Sequence, residues 1–167
     1  MNKAVFFDRD GVINNDSGYY YVSDPNDFEL NPGVIELLKW LKEQGYLLII
    51  ISNQGGISKR VYTINDADKV HDKMAAMLKA HELFFDEIYY CPHHPENERC
   101  ICRKPDTVLI EKAISRFSVN VKESFFIGDR ETDIEAGQKV GLVSIKTEAN
   151  QDLRLVIPKI KEIGRIS

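Results

Sequence analysis

Three short apolar runs in this chain, at 3–7, 46–51 and 124–127, each break off into a polar cluster. The clusters are Asp8-Arg9-Asp10-Gly11, Ser52-Asn53-Gln54-Gly55-Gly56 and Gly128-Asp129-Arg130-Glu131-Thr132-Asp133. Runs so brief and unbroken suit strands covered on both faces of a parallel sheet. Between them the apolar spacing changes to that of helices. Asn31-Pro32 reads as an N-cap with proline in the first helical position, followed by Val34, Leu37, Leu38 and Leu41 on one face and Gly45 as the stop. Residues 63 to about 81 place Val70, Met74, Met77 and Leu78 on one stripe, and 105–117 read as a helix with Val108, Leu109, Ala113 and Ile114 inward. Further strands are expected at 87–90 and 142–145, a helix at 132–140, and a short helix in the tail after Asp152. The alternation predicts an α/β fold, a doubly wound parallel sheet with helices on both faces, in a single domain over 1–167.

In such sheets ligands bind beyond the carboxyl ends of the strands. Asp, Asn, Ser and Gly are also common turn formers, so any one of the three clusters could be only a turn. Three of them at three strand ends point instead to one site. The groups they gather suit phosphoryl transfer. A carboxylate can attack phosphorus and hold it as an aspartyl-phosphate. Carboxylates also repel a phosphate dianion, which calls for a divalent cation, and magnesium accepts one or two carboxylates along with waters and phosphate oxygens. Asp8, Asp10 and Asp129 can supply the carboxylates, Ser52 a hydroxyl and Lys104 a cation for the equatorial oxygens.

The remaining composition narrows the partners. A net charge of -4 with no basic block argues against nucleic acid, and the longest apolar run, 46–51, is too short to span a bilayer. The first residues read as a strand rather than a signal peptide, so a cytoplasmic location is expected. All three cysteines fall in the stretch Cys91-Pro-His-His-Pro-Glu-Asn-Glu-Arg-Cys-Ile-Cys-Arg-Lys-Pro105, with two of the four histidines. A disulfide, a metal site and an accident of composition all remain open on those residues alone, although an odd cysteine count in a reducing compartment favours thiols or thiolates.

Asp8-Arg-Asp-Gly-Val-Ile, Ser52-Asn-Gln, Arg103-Lys-Pro and Gly128-Asp-Arg-Glu-Thr-Asp together resemble the four ordered motifs of the haloacid dehalogenase-like phosphatases, across about residues 3–146. The resemblance implies a Rossmann-like core with Asp8 as nucleophile and Asp10 as general acid, then base. Ser52 and Lys104 would steady the phosphoryl group. Magnesium would sit on Asp8, the Asp10 carbonyl and Asp129, with Asp133 beyond its direct ligands; Arg9 departs from nothing essential in the pattern, since the residue between the two aspartates varies in the family. No insertion is large enough for a cap domain. The segment at about 11–30 would form a small flap whose Asp16, Ser17, Gly18 and Tyr19 touch substrate, alongside Asn53, Gln54, Gly55, Arg103 and Arg130. The plainer reading of Tyr19 to Tyr21 is a hairpin edge, which is compatible with the same role.

The cysteine loop, about 91–104, resembles the zinc-bearing branch that contains heptose bisphosphate and histidinol-phosphate phosphatases. That implies a structural zinc on Cys91, His93, Cys100 and Cys102, with His94 as the substitute ligand, and a loop that aims Arg103 and Lys104 at the phosphate. The expected reaction is removal of the C7 phosphate of a heptose 1,7-bisphosphate by a monomer. The absence of a following dehydratase domain and the sequence Gly18-Tyr-Tyr-Tyr-Val favour it. The six residues between His93 and Cys100 lean toward histidinol phosphate as the alternative. An inactive binding domain is the remote third reading, opposed by the intact Asp8, Asp10, Lys104 and Asp129.

Overall fold

A computed structural model describes residues 1–164; the last three residues of the expected domain, 165–167, lie outside the described residues. Five parallel strands, β1 (Lys3–Phe7), β2 (Tyr46–Asn53), β3 (Glu87–Cys91), β4 (Phe125–Gly128) and β5 (Val143–Lys146), form one sheet in the order β3-β2-β1-β4-β5. The central strand β1 is therefore flanked by β2 and β4, and their three polar termini meet at one edge. Side chains alternate across the sheet, and two cores result. Val5, Phe7, Leu48, Ile50 and Ile127 face α1 (Val34–Glu43), α2 (Ile64–Lys79) and the C-terminal α5 (Val156–Ile163). Ala4, Phe6, Ile49, Ile51 and Phe126 face α3 (Val108–Phe117) and α4 (Glu131–Lys139). Burial on both faces is what the uninterrupted apolar runs require.

Among the described α-helices, α2 alone has an N-cap residue whose own side chain accepts a hydrogen bond from the helix. Thr63 caps α2 with a full capping box: its Oγ1 accepts from Asp66 N–H at 3.2 Å while Asp66 Oδ2 accepts from Thr63 N–H at 2.9 Å. The α1 start departs from expectation. Asn31 is not the N-cap, because its side chain is buried and donates to the Val12 carbonyl at 3.0 Å. Gly33, at φ 77°, takes the cap position instead, and the helix starts at Val34. In α3 the expected inward Val108 is 37% exposed and Ile110 is buried in its place, alongside Ala113. The chain turns first, with Asp106 N–H on the Arg103 carbonyl at 2.8 Å, so the helix begins three residues later than Pro105; Leu109, Ala113 and Ile114 face the core as expected. The tail does form a helix, preceded by a 3-10 turn at Leu153–Leu155. No helix among the described residues is long and apolar enough to cross a membrane.

Candidate active site

The site is built on the ends of β1, β2 and β4. The Asp8 N–H continues the ladder to the Ile127 carbonyl at 3.0 Å, which fixes the residue between two strands. Its carboxylate is buried, and Oδ1 accepts from Lys104 Nζ at 2.9 Å. The same ammonium lies 2.6 Å from Asp133 Oδ1, with both side chains almost wholly enclosed. Asp133 has a second task in α4, where Oδ2 accepts the Arg130 N–H at 3.1 Å as an N-terminal cap. Its carboxyl lies so close over Gly128 that a Cβ there would fall 2.5 Å from Oδ2. Only glycine leaves that space open.

Charge is crowded here. Burial pushes the Asp8 carboxyl up to about 7, Asp133 and Asp10 add to the rise, and Lys104 opposes it. Burial works against the Lys104 ammonium, but Asp133 and Asp8 outweigh it and hold the group above its ordinary value. Asp8, Asp129 and Asp133 offer oxygens that all lie within 4.8 Å of one another. Asp129 Oδ1 is buried and has no hydrogen-bond partner. An orphaned carboxylate oxygen beside two more carboxylates fits a hard divalent cation. Asp133, expected beyond the residues that would touch the metal, stands beside them and spends its carboxylate on Lys104 and the α4 N-terminus.

The Asp10 side chain is turned the other way, leaving its backbone carbonyl as the group expected on a metal. Arg9 Nη2 donates to both Asp10 oxygens, at 2.8 and 3.0 Å, and Nε donates to Oδ1 at 3.1 Å. Gln54 Nε2 and Asn14 Nδ2 add bonds at 2.8 and 3.1 Å. Burial alone would raise the Asp10 pKa, but Arg9 and these donors outweigh it and hold it below its usual range. Arg9, which the motif left without a role, is fully buried and also donates to the Val22 carbonyl of the flap at 3.0 Å. Its Nη1 is 3.3 Å from His71 Nε2. A guanidinium only donates, so Nε2 is the lone-pair nitrogen and the imidazole is neutral. Burial, then Arg9, push His71 down to about 4. One signal in sequence could have flagged Arg9: a cation between two acids at the end of a buried strand.

Gln54 was expected to touch substrate. It is 2% exposed and spends its amide on Asp10, on Ser52 Oγ at 2.8 Å and on the Tyr62 hydroxyl at 2.5 Å. It orients Asp10 rather than the ligand. The Ser52 hydroxyl is likewise buried beneath it. Asn53 clasps the Lys104 backbone in both directions, accepting its N–H at 3.0 Å and donating to its carbonyl at 3.1 Å.

Above these groups lies a cleft of about 160 Å³ lined by Asp8, Asp10, Asp16, Tyr19, Asn53, Gly55, Arg103, Lys104 and Arg130. Tyr20, Tyr21 and His94 join that lining. Ser17 and Gly18, expected beside them, do not. The flap is an irregular loop with a 3-10 turn at Pro25–Asp27, so the hairpin alternative for Tyr19 to Tyr21 falls. An edge-to-face series, Tyr20–Tyr21 at 4.7 Å and Tyr21–Tyr62 at 5.5 Å, runs from the rim to the Gln54 partner.

The cysteines gather beside the cleft. Ligand atoms of Cys91, His93, Cys100 and Cys102 lie within 4.8 Å of one another. Cys91 Sγ is 3.5 Å from His93 Nδ1, 3.7 Å from Cys100 Sγ and 2.9 Å from Cys102 Sγ. Thiolates on a tetrahedral zinc stand about 3.8 Å apart, given Zn–S bonds of ~2.3 Å. The group is thus close to a zinc shell in size and slightly contracted. His94 faces the cleft rather than this cluster. Arg103 Nη1 donates to the His93 carbonyl at 3.1 Å, which links the loop directly to the cleft.

A family model described as polynucleotide kinase 3 phosphatase matches residues 3–157. A D-glycero-beta-D-manno-heptose-1,7-bisphosphate 7-phosphatase of Helicobacter pylori is 45% identical over 81% of this chain and 77% of its own length. The chain belongs to the haloacid dehalogenase-like phosphatases. A D-glycero-alpha-D-manno-heptose-1,7-bisphosphate 7-phosphatase of Campylobacter jejuni is 42% identical over 81% of the phosphatase and 76% of its own length. Among solved structures, a D,D-heptose 1,7-bisphosphate phosphatase from B. bronchiseptica complexed with magnesium and phosphate superposes with TM-score 0.82 at 26% identity, covering 94% of the phosphatase and 86% of that chain.

Proposed function

We propose that this phosphatase removes the C7 phosphate of a D-glycero-D-manno-heptose 1,7-bisphosphate through an aspartyl-phosphate on Asp8. The observation that carries the chemistry is the Asp8–Lys104–Asp133 arrangement at the floor of the cleft, with Asp129 beside it. The relatives named above supply the substrate class; nothing in the structure favours histidinol phosphate over it, and the assembled carboxylates and lysine oppose an inactive binding domain.

Asp8 attacks phosphorus and Lys104, already paired with it, meets the charge spreading over the equatorial oxygens. Asp8, the Asp10 carbonyl and Asp129 would hold magnesium, whose positive charge offsets the repulsion between carboxylates and phosphate. Asp133 keeps Lys104 in place. Asp10 gives a proton to the leaving sugar oxygen and then takes one from the attacking water. Its lowered pKa suits the second task; the dianionic phosphoryl group entering beside it pushes the pKa upward for the first. Asp8, Asp10 and Lys104 line the floor of the cleft, so the reacting phosphoryl group sits there. The sugar then lies across the rim, where Arg103 and Arg130 can meet the second phosphate and Tyr19 the ring. Zinc on Cys91, His93, Cys100 and Cys102 would fix the loop that carries Arg103 and Lys104. We further read one domain with a flap at about 11–30 and a zinc loop at about 91–104, working as a cytoplasmic monomer.

Turnover of heptose 1,7-bisphosphate and histidinol phosphate, measured side by side with magnesium, tests the reading. Preference for the bisphosphate is expected, with the C1 phosphate left in the product. Preference for histidinol phosphate would reject it.

A further inference from the structure

Asn150 lies in the loop after β5, far in sequence from the flap, with a left-handed backbone at φ 62°. Its backbone N–H donates to the Gly11 carbonyl at 2.7 Å, just beyond Asp10. Its side chain closes on the flap. Nδ2 donates to Asp16 Oδ1 at 2.9 Å and to Ser17 Oγ at 3.0 Å, while Oδ1 accepts the Asp16 N–H at 3.0 Å. Both ends of one amide are therefore spent on Asp16. The consequence lies in what remains. Asp16 Oδ1 is engaged, and among the described residues Oδ2 has no hydrogen-bond partner. Asp16 lines the cleft, and its Oδ2 borders Gly11, where an added Cβ would fall 3.5 Å from it and 2.8 Å from Asp129 Oδ2.

An ionised carboxylate oxygen only accepts, and it repels phosphate. Its complement in a sugar phosphate is a hydroxyl. We propose that Asn150 is a positioning residue that holds Asp16 with Oδ2 turned into the cleft to accept a hydroxyl of the sugar, and so helps decide which alcohols the site takes. The proposal rests on the sugar-phosphatase reading above. It adds the selection of hydroxyl-bearing leaving groups by a residue outside the four motifs.

Two variants keep the backbone free of strain, because glycine and aspartate both tolerate positive φ. Asn150→Gly removes the clasp. Asn150→Asp keeps an acceptor for the Asp16 N–H but sets a carboxylate oxygen where Nδ2 donated, facing Asp16 Oδ1. Each is assayed on heptose 1,7-bisphosphate and on p-nitrophenyl phosphate, whose leaving group offers no further hydroxyl, and activity on the aryl ester also reports an intact fold. Asn150→Gly should lose about tenfold in kcat/KM on the bisphosphate, mostly through KM, and clearly less on the aryl ester; Asn150→Asp should lose more. Wild-type behaviour of Asn150→Asp would overturn the proposal, since the position would then need only a residue that tolerates this φ. Equal losses on both substrates with a raised magnesium requirement would also overturn it, by assigning Asp16 to the cation. A parent enzyme that cleaves the aryl ester but not the bisphosphate would refute the sugar reading, and this inference with it.

Discussion

At the residue scale, the two aspartates of the Asp8-Arg9-Asp10 segment are held in opposite ways. Asp8 is pushed toward its protonated form by burial and neighbouring acids, while Asp10 is clamped by an arginine and two amides. Asp8→Asn should leave the fold intact and abolish phosphate release, because an amide cannot form the acyl phosphate; turnover above a trace, with deamidation excluded by mass spectrometry, would refute the mechanism. His71 gives a second test, in stability. Its pKa falls from 6.5 unfolded to about 4 folded, so the unfolded chain binds the extra proton between those values. The stabilising neutral form is fully present above pH 6.5 and its contribution is lost as pH falls toward 4. The difference amounts to roughly 3–4 kcal/mol at most, from ~1.4 kcal/mol per pH unit. His71→Gln should flatten the fall in urea midpoint between pH 6.5 and 4; an unchanged slope would show that the histidine does not titrate there. Asp8, Asp10, Lys104 and Asp129 were legible in sequence because strand ends and motif order give them away. Arg9, Gln54 and Asp133 were not, since their tasks depend on which way a side chain turns after the chain has folded.

Among the elements, the cysteine loop and the flap are placed by different means. The loop has little apolar surface of its own: Ile101 is 70% exposed and only Cys91 of the four clustered residues is buried. If zinc organises it, the purified protein should carry one zinc per chain, and Cys100→Ser should lose the metal together with several degrees of melting temperature. Metal analysis that finds none in protein prepared without chelator would reject the site. The flap is instead anchored by Val12, Ile13, Val22 and Phe28 in the core, with added ties from Arg9 to Val22 and from Tyr62 to Tyr21. Strands β1, β2 and β4 could be read to within two residues, because a strand covered on both faces announces itself as an apolar run; the edge strands β3 and β5 are only partly covered and carry polar residues. The starts of α1 and α3 could not. Both are set by turns, at Gly33 and at Arg103–Asp106, whose geometry depends on partners distant in sequence or on the loop before them.

At the scale of the whole molecule, three carboxylates converge against Lys104 and Arg130, so the folded state without a cation keeps an excess of negative charge there. Magnesium that binds only the folded form should raise the melting temperature, and at a hundredfold excess over its dissociation constant the gain is about 2.7 kcal/mol. The effect should shrink in Asp129→Asn; an equal shift in that variant would place the ion elsewhere. Light scattering should find a mass of one chain. The rim of the cleft has a further consequence. Its tyrosines and His94 stand on irregular segments, whereas the reacting groups stand on strand ends and the Arg103–Lys104 turn. Recognition and chemistry are thus mechanically separable. A library confined to Tyr19, Tyr20 and His94, leaving Tyr21 on Tyr62, should yield enzymes with altered taste for sugars and an undiminished appetite for aryl phosphates, which would make this small scaffold a practical starting point for tailored phosphatases.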